Sequence, residues 1–290
     1  MKRLFVALFI FLSILSVEAK APKWAKKPLK VATYNIQYPA KKPVWSDRLP
    51  AIVRIIEDYD FDVFGSQEPF LPQIEDIIKH IGKEYDWVGD CTTGDNTYRK
   101  AHFNPIFYKK KRLELLDHGV IWLTPEPGKP GYGAMYSRNC VWAKFKDKKT
   151  KKVFYQFNCH FDHKGVYARE KSAEIILDKI NEMAAGYPCI VNGDFNAKQD
   201  SKAWKIMQES GVITDALYAV ENPVNAQYYS MSHYKPMDTV PQHGMHLDHI
   251  FYTPANSKVG AWHMITDCLN GQFGSDHFPI LVEWYISDLR

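Results

Sequence analysis

The chain has 290 residues, 46% hydrophobic and 24% charged, with a formal net charge of +4. That is enough apolar material for one large globular core, and so weak a charge neither demands nor excludes a polyanionic partner. Five cysteines (Cys91, Cys140, Cys159, Cys189 and Cys268) include no C-x-x-C pair, which argues against a zinc ribbon or a dense disulfide framework, although an oxidising compartment permits one disulfide.

Met1-Lys2-Arg3, the apolar run 4–17 and the small residue Ala19 have the three parts of a secretory signal peptide, with cleavage expected after Ala19. The competing reading, a membrane anchor, needs roughly 20 apolar residues, and this run is shorter. The expectation is an exported protein, periplasmic or secreted, with no stable membrane insertion after cleavage. Removing Lys2, Arg3 and Glu18 leaves a net charge of +3. No Gly/Ser linker, repeat or low-complexity segment divides residues 20–290, so a single domain is expected.

Residues 20–30, with five lysines, read as a solvated leader. Residues 29–37 form a strand ending on two amides that share a side, and Asp47 caps a helix whose apolar face is Leu49, Ile52, Val53 and Ile56. A short strand at 61–65 runs into Ser66-Gln67-Glu68. A helix at 71–81 and a strand at 85–89 follow, then an irregular loop at 90–104 carrying Tyr98, Arg99, Lys100 and His102. Strands are predicted at 106–108, 113–123, 140–145 and 153–159, with a hairpin tip at 146–152. The strongest helical period spans 168–184, with Ala173, Ile176, Leu177, Ile180, Met183 and Ala184 on one stripe. A buried strand then leads into Asn192-Gly193-Asp194-Phe195-Asn196. Gly193 marks a close backbone approach, and in extended chain Asp194 and Asn196 project to the same side. A helix at 204–209, a long loop at 218–245 and strands at 247–252, 259–265 and 279–284 complete the chain. Strands and helices mixed in this order imply sheets covered by helices.

Every polar cluster follows a β run: Asn35, Glu68, Asn158-His160-Asp162, Asp194-Asn196, Asp248 and Asp276-His277. Carboxylates, amides and imidazoles with no serine or cysteine in a nucleophile elbow suit an oxygen-ligated Mg²⁺ better than a covalent mechanism. Phosphoryl transfer needs such a set: a cation against phosphate oxygens, a group that deprotonates water, and donors for the developing charge.

Six motifs in order carry a resemblance to a known family: Thr33-Tyr34-Asn35-Ile36, Gly65-Ser66-Gln67-Glu68, Asn158-Cys159-His160-Phe161-Asp162-His163, Asn192-Gly193-Asp194-Phe195-Asn196, Leu247-Asp248-His249-Ile250 and Ser275-Asp276-His277-Phe278-Pro279. The sequence resembles the endonuclease/exonuclease/phosphatase superfamily. The resemblance implies an α/β fold, a four-layer sandwich of two face-to-face mixed β-sheets flanked by α-helices. It also implies a Mg²⁺-dependent hydrolase, with Mn²⁺ as a substitute, acting on phosphate esters.

Carried over by position, Glu68 binds the metal with Asn35 beside it. Asp194 activates the water and Asn196 holds it or a phosphate oxygen. His160 donates to the phosphate, and His277 acts as general acid/base or charge stabiliser. Adjacent side chains diverge in extended chain, so Asp248 rather than Asp276 should orient His277, leaving Asp276 near the metal. Tyr98 and Arg99 are candidate phosphate contacts. Two departures stand out. Gln37 replaces a second metal-site carboxylate found in some members, and His102 and Asn104 stand where relatives often place a glutamate. His243, His246 and His249 have a spacing that could hold zinc, but Gly244 and the following strand argue against a helical site.

The favoured function is a nuclease or phosphodiesterase, since export suits scavenging of DNA or RNA. A sphingomyelinase or phospholipase C-type activity, or an inositol-phosphate phosphatase, is the same chemistry on the same scaffold. A binding protein that has lost turnover is the alternative from another class.

Overall fold

The computed structural model describes residues 27–287, so the expected signal peptide at 1–19 lies outside the described residues, as does most of the lysine-rich leader. Twelve strands form two six-stranded sheets. The first contains β1 (Leu29–Asn35), β2 (Val63–Gln67), β3 (Tyr85–Val88), β4 (Ile106–Lys109), β11 (Ser257–Met264) and β12 (Ile280–Ile286), in spatial order β11-β12-β1-β2-β4-β3. The second contains β5 (Leu113–Trp122), β6 (Asn139–Asp147), β7 (Val153–His160), β8 (Cys189–Asp194), β9 (Thr214–Asp215) and β10 (Asp248–Tyr252), in order β5-β6-β7-β8-β10-β9.

Two-residue alternation sorts the side chains into layers. Val31, Val63, Ile106, Val282 and Trp284 of the first sheet meet Val141, Phe154, Ile190 and Ile250 of the second in one buried cluster. From the intervening positions Ala32, Tyr34 and Phe64 pack outward against α1 (Trp45–Tyr59) and α2 (Leu71–Ile81). Phe157, Cys189 and Val191 pack outward against α3 (Val166–Met183) and α4 (Lys202–Gln208). The result is the expected four-layer α/β/β/α sandwich.

Local differences have simple causes. Asp47 lies in the first turn of α1, whose N-cap is Val44, so its carboxylate faces the helix's positive end from within. On α3, Ala173, Ile176 and Ile180 are buried, while Leu177 and Met183 at the stripe's edge are half-buried. Strand β9 has two residues, too few to leave a pattern. All five cysteines are free, with Cys140 and Cys159 opposite one another across β6 and β7. Among the described residues, no helix is long and apolar enough to cross a membrane.

Beneath the strand ends the inter-sheet core turns polar. Gln67 Nε2 donates to Asn158 Oδ1 at 2.7 Å, and Asn192 Nδ2 donates to the same oxygen at 3.2 Å. Asn158 Nδ2 donates to the carbonyls of Ser66 (2.8 Å) and Pro105 (2.9 Å). Gly65 is required here, because a Cβ would collide with the Asn158 and Asn192 amides. Arg48 of α1, fully buried, donates to the carbonyls of Ile36, Gln37, Tyr38 and Gly274, which pins the chain leaving β1 to the segment before β12. These buried hydrogen bonds make the layer a fixed floor, although Gln67 Oε1 is left without a partner.

Candidate active site

Register assembles the polar residues. His160, Asp194 and Asp248 lie abreast on β7, β8 and β10, because His160 pairs with Asp194 and Asp194 with Asp248. Across the sandwich Asn35 pairs with Gln67, and Glu68 follows it. Gly193 makes this possible: a Cβ there would run into the Cys159 carbonyl, so only glycine lets β7 and β8 close up beside the site. Asp276 and His277 arrive from the segment before β12, which accepts bonds from the Ser232 and His233 amides.

Asn35 Nδ2 ties the two sheets' carboxylates together, lying 3.1 Å from Glu68 Oε1 and 3.0 Å from Asp194 Oδ2. Its Oδ1 accepts the Gln37 amide at 2.9 Å, which fixes the orientation of the group. Asn35 was expected at a metal. Its nitrogen faces both carboxylates and braces them. Ligand atoms of Glu68, His160 and Asp194 all lie within 4.8 Å of one another, as do those of Asp194, Asp248 and His277. Asp276, also expected at a metal, lines the cavity but stands outside both sets. Its Oδ2 accepts Gln37 Nε2 at 2.8 Å and its Oδ1 accepts Ser275 Oγ at 3.2 Å. Gln37 is held in turn by Tyr234 Oη at 2.7 Å.

His277 Nδ1 bonds Asp248 Oδ2 at 2.8 Å, the pairing that strand alternation required, and its Nε2 lies 3.9 Å from Asp194 Oδ2. Burial opposes a charge on His277, but Asp248, Asp194 and Asp276 outweigh it and hold the imidazole well above its ordinary pKa. Burial, reinforced by Asp248, raises Asp194 to about 7 against the opposing pull of His277. His160 behaves oppositely. Burial, and then the Arg138 guanidinium whose Nη1 lies 3.0 Å from His160 Nδ1, hold it well below the usual histidine range.

The alternation argument fails at Asn196. Its backbone is left-handed (φ 47°), as are Glu68 (φ 74°) and Gln37 (φ 55°), so three site residues leave their strands in a conformation that non-glycine residues seldom adopt. Asn196 still lines the cavity. Its backbone amide clamps Asp194 Oδ1 at 2.9 Å, and its Nδ2 donates to the Phe161 carbonyl at 3.1 Å.

The cavity over these residues has a volume of about 860 Å³. Tyr38, Phe70 and His102 pack together as one wall; Tyr98, Tyr136, Arg138 and His163 stand among the remaining lining residues. Tyr98 lines the cavity. Arg99 does not: both its Nη atoms are bound to Glu75 of α2, at 2.9 and 2.6 Å, and it is absent from the lining. The zinc reading also fails. His246 is bonded through both ring nitrogens, to Gln199 and the Ala226 carbonyl, and His249 through both, to Asp215 and the Ala197 carbonyl.

Arg138, Gln37 as a clamp on Asp276, and Tyr234 escaped the sequence reading. Arg138 falls one residue before β6, where a lone cation in a loop gives no periodic signal. Asp162, which the sequence reading gave no role beyond supporting its loop, accepts four backbone amides through Oδ1 and Oδ2, those of Met135, Tyr136, Lys164 and Gly165.

A family model described as Endonuclease/Exonuclease/phosphatase family matches residues 32–277. Among solved structures, one of an endonuclease/exonuclease/phosphatase from Bacteroides vulgatus is 31% identical, with a TM-score of 0.81, covering 90% of this chain and 100% of that one. A mannosyl-6-phosphatase of Bacteroides thetaiotaomicron is 30% identical (TM-score 0.78; 88% of this chain, 99% of that one). A family protein from Bacteroides thetaiotaomicron is 28% identical (TM-score 0.82; 92% and 97%). The search of curated proteins finds no match.

Proposed function

Because this chain belongs to the endonuclease/exonuclease/phosphatase family, we propose that it is a divalent-metal-dependent phosphoesterase acting on a small phosphorylated substrate, with a sugar phosphate as the best fit. The observation that carries the chemistry is the convergence of Glu68, Asp194, His160 and His277 at the floor of one cavity.

The donor set fits a hard cation. Glu68 Oε1 and Asp194 Oδ2 are carboxylate oxygens held toward each other by a single amide, the ligand chemistry that Mg²⁺ or Mn²⁺ takes. Glu68 and Asp194 would hold the ion, and the ion would supply charge neutralisation for a phosphate oxygen. Asp194 is placed to accept a proton from the attacking water as the new O–P bond forms and the ester P–O bond breaks, the departing alkoxide taking its proton from solvent. His277, charged and fixed by Asp248, faces the same point and stabilises the phosphoryl oxygens. Asn196 holds Asp194 in place.

The substrate class rests on three supports. A cavity of about 860 Å³ lies within the usual range for a small ligand. Its wall stacks Tyr38 against Phe70 and His102, ring centroids 6.3 and 5.4 Å apart, a platform on which a sugar ring can lie. A relative at 30% identity is a mannosyl-6-phosphatase. A signal peptide at 1–19, as read from the sequence, would take the reaction outside the cytoplasm.

A substrate panel tests it: mannose 6-phosphate, glucose 6-phosphate, inositol phosphates, sphingomyelin, single- and double-stranded DNA, RNA and a chromogenic diester, each with Mg²⁺, Mn²⁺ or EDTA. Asp194→Asn controls for contaminants. Metal-dependent release of phosphate from the sugar esters, lost in the variant, is the expected result. Turnover confined to polynucleotides would return the substrate to nucleic acid, and no metal-dependent turnover of any ester would leave a binding protein.

A further inference from the structure

Two histidines turn the same ring nitrogen toward one carboxylate oxygen, yet their other nitrogens are held by partners of opposite charge. His277 Nδ1 lies 2.8 Å from Asp248 Oδ2. A carboxylate accepts, so Nδ1 carries the proton and the Asp248 side fixes the ring. His160 Nδ1 lies 3.0 Å from Arg138 Nη1. A guanidinium has donors and no acceptor, so Nδ1 must accept and the imidazole's proton must sit on Nε2. That Nε2 lies 3.5 Å from Asp194 Oδ2 and 4.0 Å from Glu68 Oε1.

Arg138 is built into the protein. It is 4% exposed, with Nε 3.6 Å from Asp162 Oδ2. Asp162 is itself clamped by the four backbone amides of the 135–136 and 164–165 segments. The ring of Tyr136 lies 5.7 Å from the guanidinium carbon. A buried cation so anchored costs desolvation that its single carboxylate partner repays only in part, and its Nε remains without a hydrogen bond. Arg138 itself lines the cavity, and its guanidinium meets His160 there.

We propose that Arg138 is a positioning residue that locks His160 into its Nε2–H tautomer, which makes His160 a hydrogen-bond donor to a phosphoryl oxygen and bars it from acting as a base or a metal ligand. The cation then belongs to the carboxylates, and the two histidines divide the work by tautomer: His160 donates from Nε2 by default, whereas His277 presents an Nε2 whose proton its Asp248 partner controls. Without the guanidinium, the ring could turn a lone pair toward any ion bound at Glu68 and Asp194 and compete for it. The acceptor's identity rests on the phosphoesterase reading; the tautomer follows from the geometry alone.

The test is ¹⁵N NMR of the histidine-labelled protein without metal, with His160 and His277 assigned by the signals missing from His160→Gln and His277→Gln. The wild-type protein should show His160 bare at Nδ1 and protonated at Nε2, with His277 protonated at Nδ1. Arg138→Met should lose the bare-Nδ1 pattern and lower kcat on p-nitrophenyl phosphate with Mg²⁺ by about 10- to 100-fold, the usual effect of removing a partner that orients a site imidazole. Arg138→Lys, which keeps a donor, should recover part of both. A wild-type His160 protonated on Nδ1 overturns the proposal, as does a folded Arg138→Met with unchanged spectrum and kcat. Should Arg138→Met fail to fold, the wild-type spectrum decides. The expected tautomers in a protein inert toward every ester would refute the phosphoesterase reading and leave the role of Arg138 standing.

Discussion

Replacing Asp248 by Asn removes one charge and almost no volume, and its effect can be worked from the structure. Asp248 is buried, is not among the residues lining the cavity, and bonds His277 Nδ1 at 2.8 Å, while its charge also bears on Asp194. A hydrogen bond to a charged group contributes about 1.5–3 kcal/mol, which at 1.4 kcal/mol per factor of ten is roughly a 10- to 100-fold effect. The loss should fall on kcat, with KM little changed, because Asp248 acts through His277 and Asp194 and does not line the cavity. Initial rates of p-nitrophenyl phosphate hydrolysis in Mg²⁺, with circular dichroism to confirm folding, provide the assay. The His277→Gln variant completes a cycle: the double variant should lose little more than His277→Gln alone, since the two residues act as one unit. Unchanged kcat in Asp248→Asn, or losses that multiply in the double variant, would refute the coupling.

Further outcomes follow from the packing and charge. Asp147 is bound by Arg112 at 2.7 and 3.0 Å; burial raises its pKa, but Arg112, Thr150 and the Lys149 amide outweigh burial and hold it below the ordinary range. A depressed carboxyl stabilises above its unfolded pKa of about 3.9 and loses that contribution as pH falls through the folded value. Asp147→Asn should therefore cost about 3–5 kcal/mol at neutral pH and flatten the acid limb of the urea midpoint measured against pH. Gly193→Ala should lower stability by at least about 1–3 kcal/mol and reduce turnover as well, because the strands carrying His160 and Asp194 must part; unfolding curves and rates both check it. Arg99→Ala, which breaks only an exposed pair with Glu75, should shift stability by less than about 1 kcal/mol and leave KM for sugar phosphates unchanged.

How far the sequence could be read depended on distance along the chain. Strand ends carry their polar residues next to apolar runs, so Glu68, His160, Asp194, Asp248 and His277 were legible, and the two-residue period separated Asp276 from His277 correctly. The mixed strands and helices by themselves gave sheets covered by helices, and the four layers came from the six-motif resemblance; in the structure Val31 faces the inter-sheet core while its neighbour Ala32 faces the helices. Where the backbone leaves the extended form, the same period misleads: Asn196 and Gln37 are left-handed, and their directions cannot be counted off. Partners chosen in space were invisible. Arg138 and His160 are 22 residues apart and Gln37 and Asp276 are 239 apart, in segments without periodicity. Arg99 shows the converse error, since a basic loop residue near a site can be claimed by a nearer acid, here Glu75.

The claim on which the rest depends is that Glu68 and Asp194, delivered by different sheets, form one cation seat. Calorimetric titration of Mn²⁺ into the wild-type protein and into Glu68→Gln tests it most directly. Stoichiometric binding to the wild type, abolished in a folded Glu68→Gln and retained in Asp248→Asn, is the predicted result. Binding of equal strength in the wild type and Glu68→Gln would contradict it.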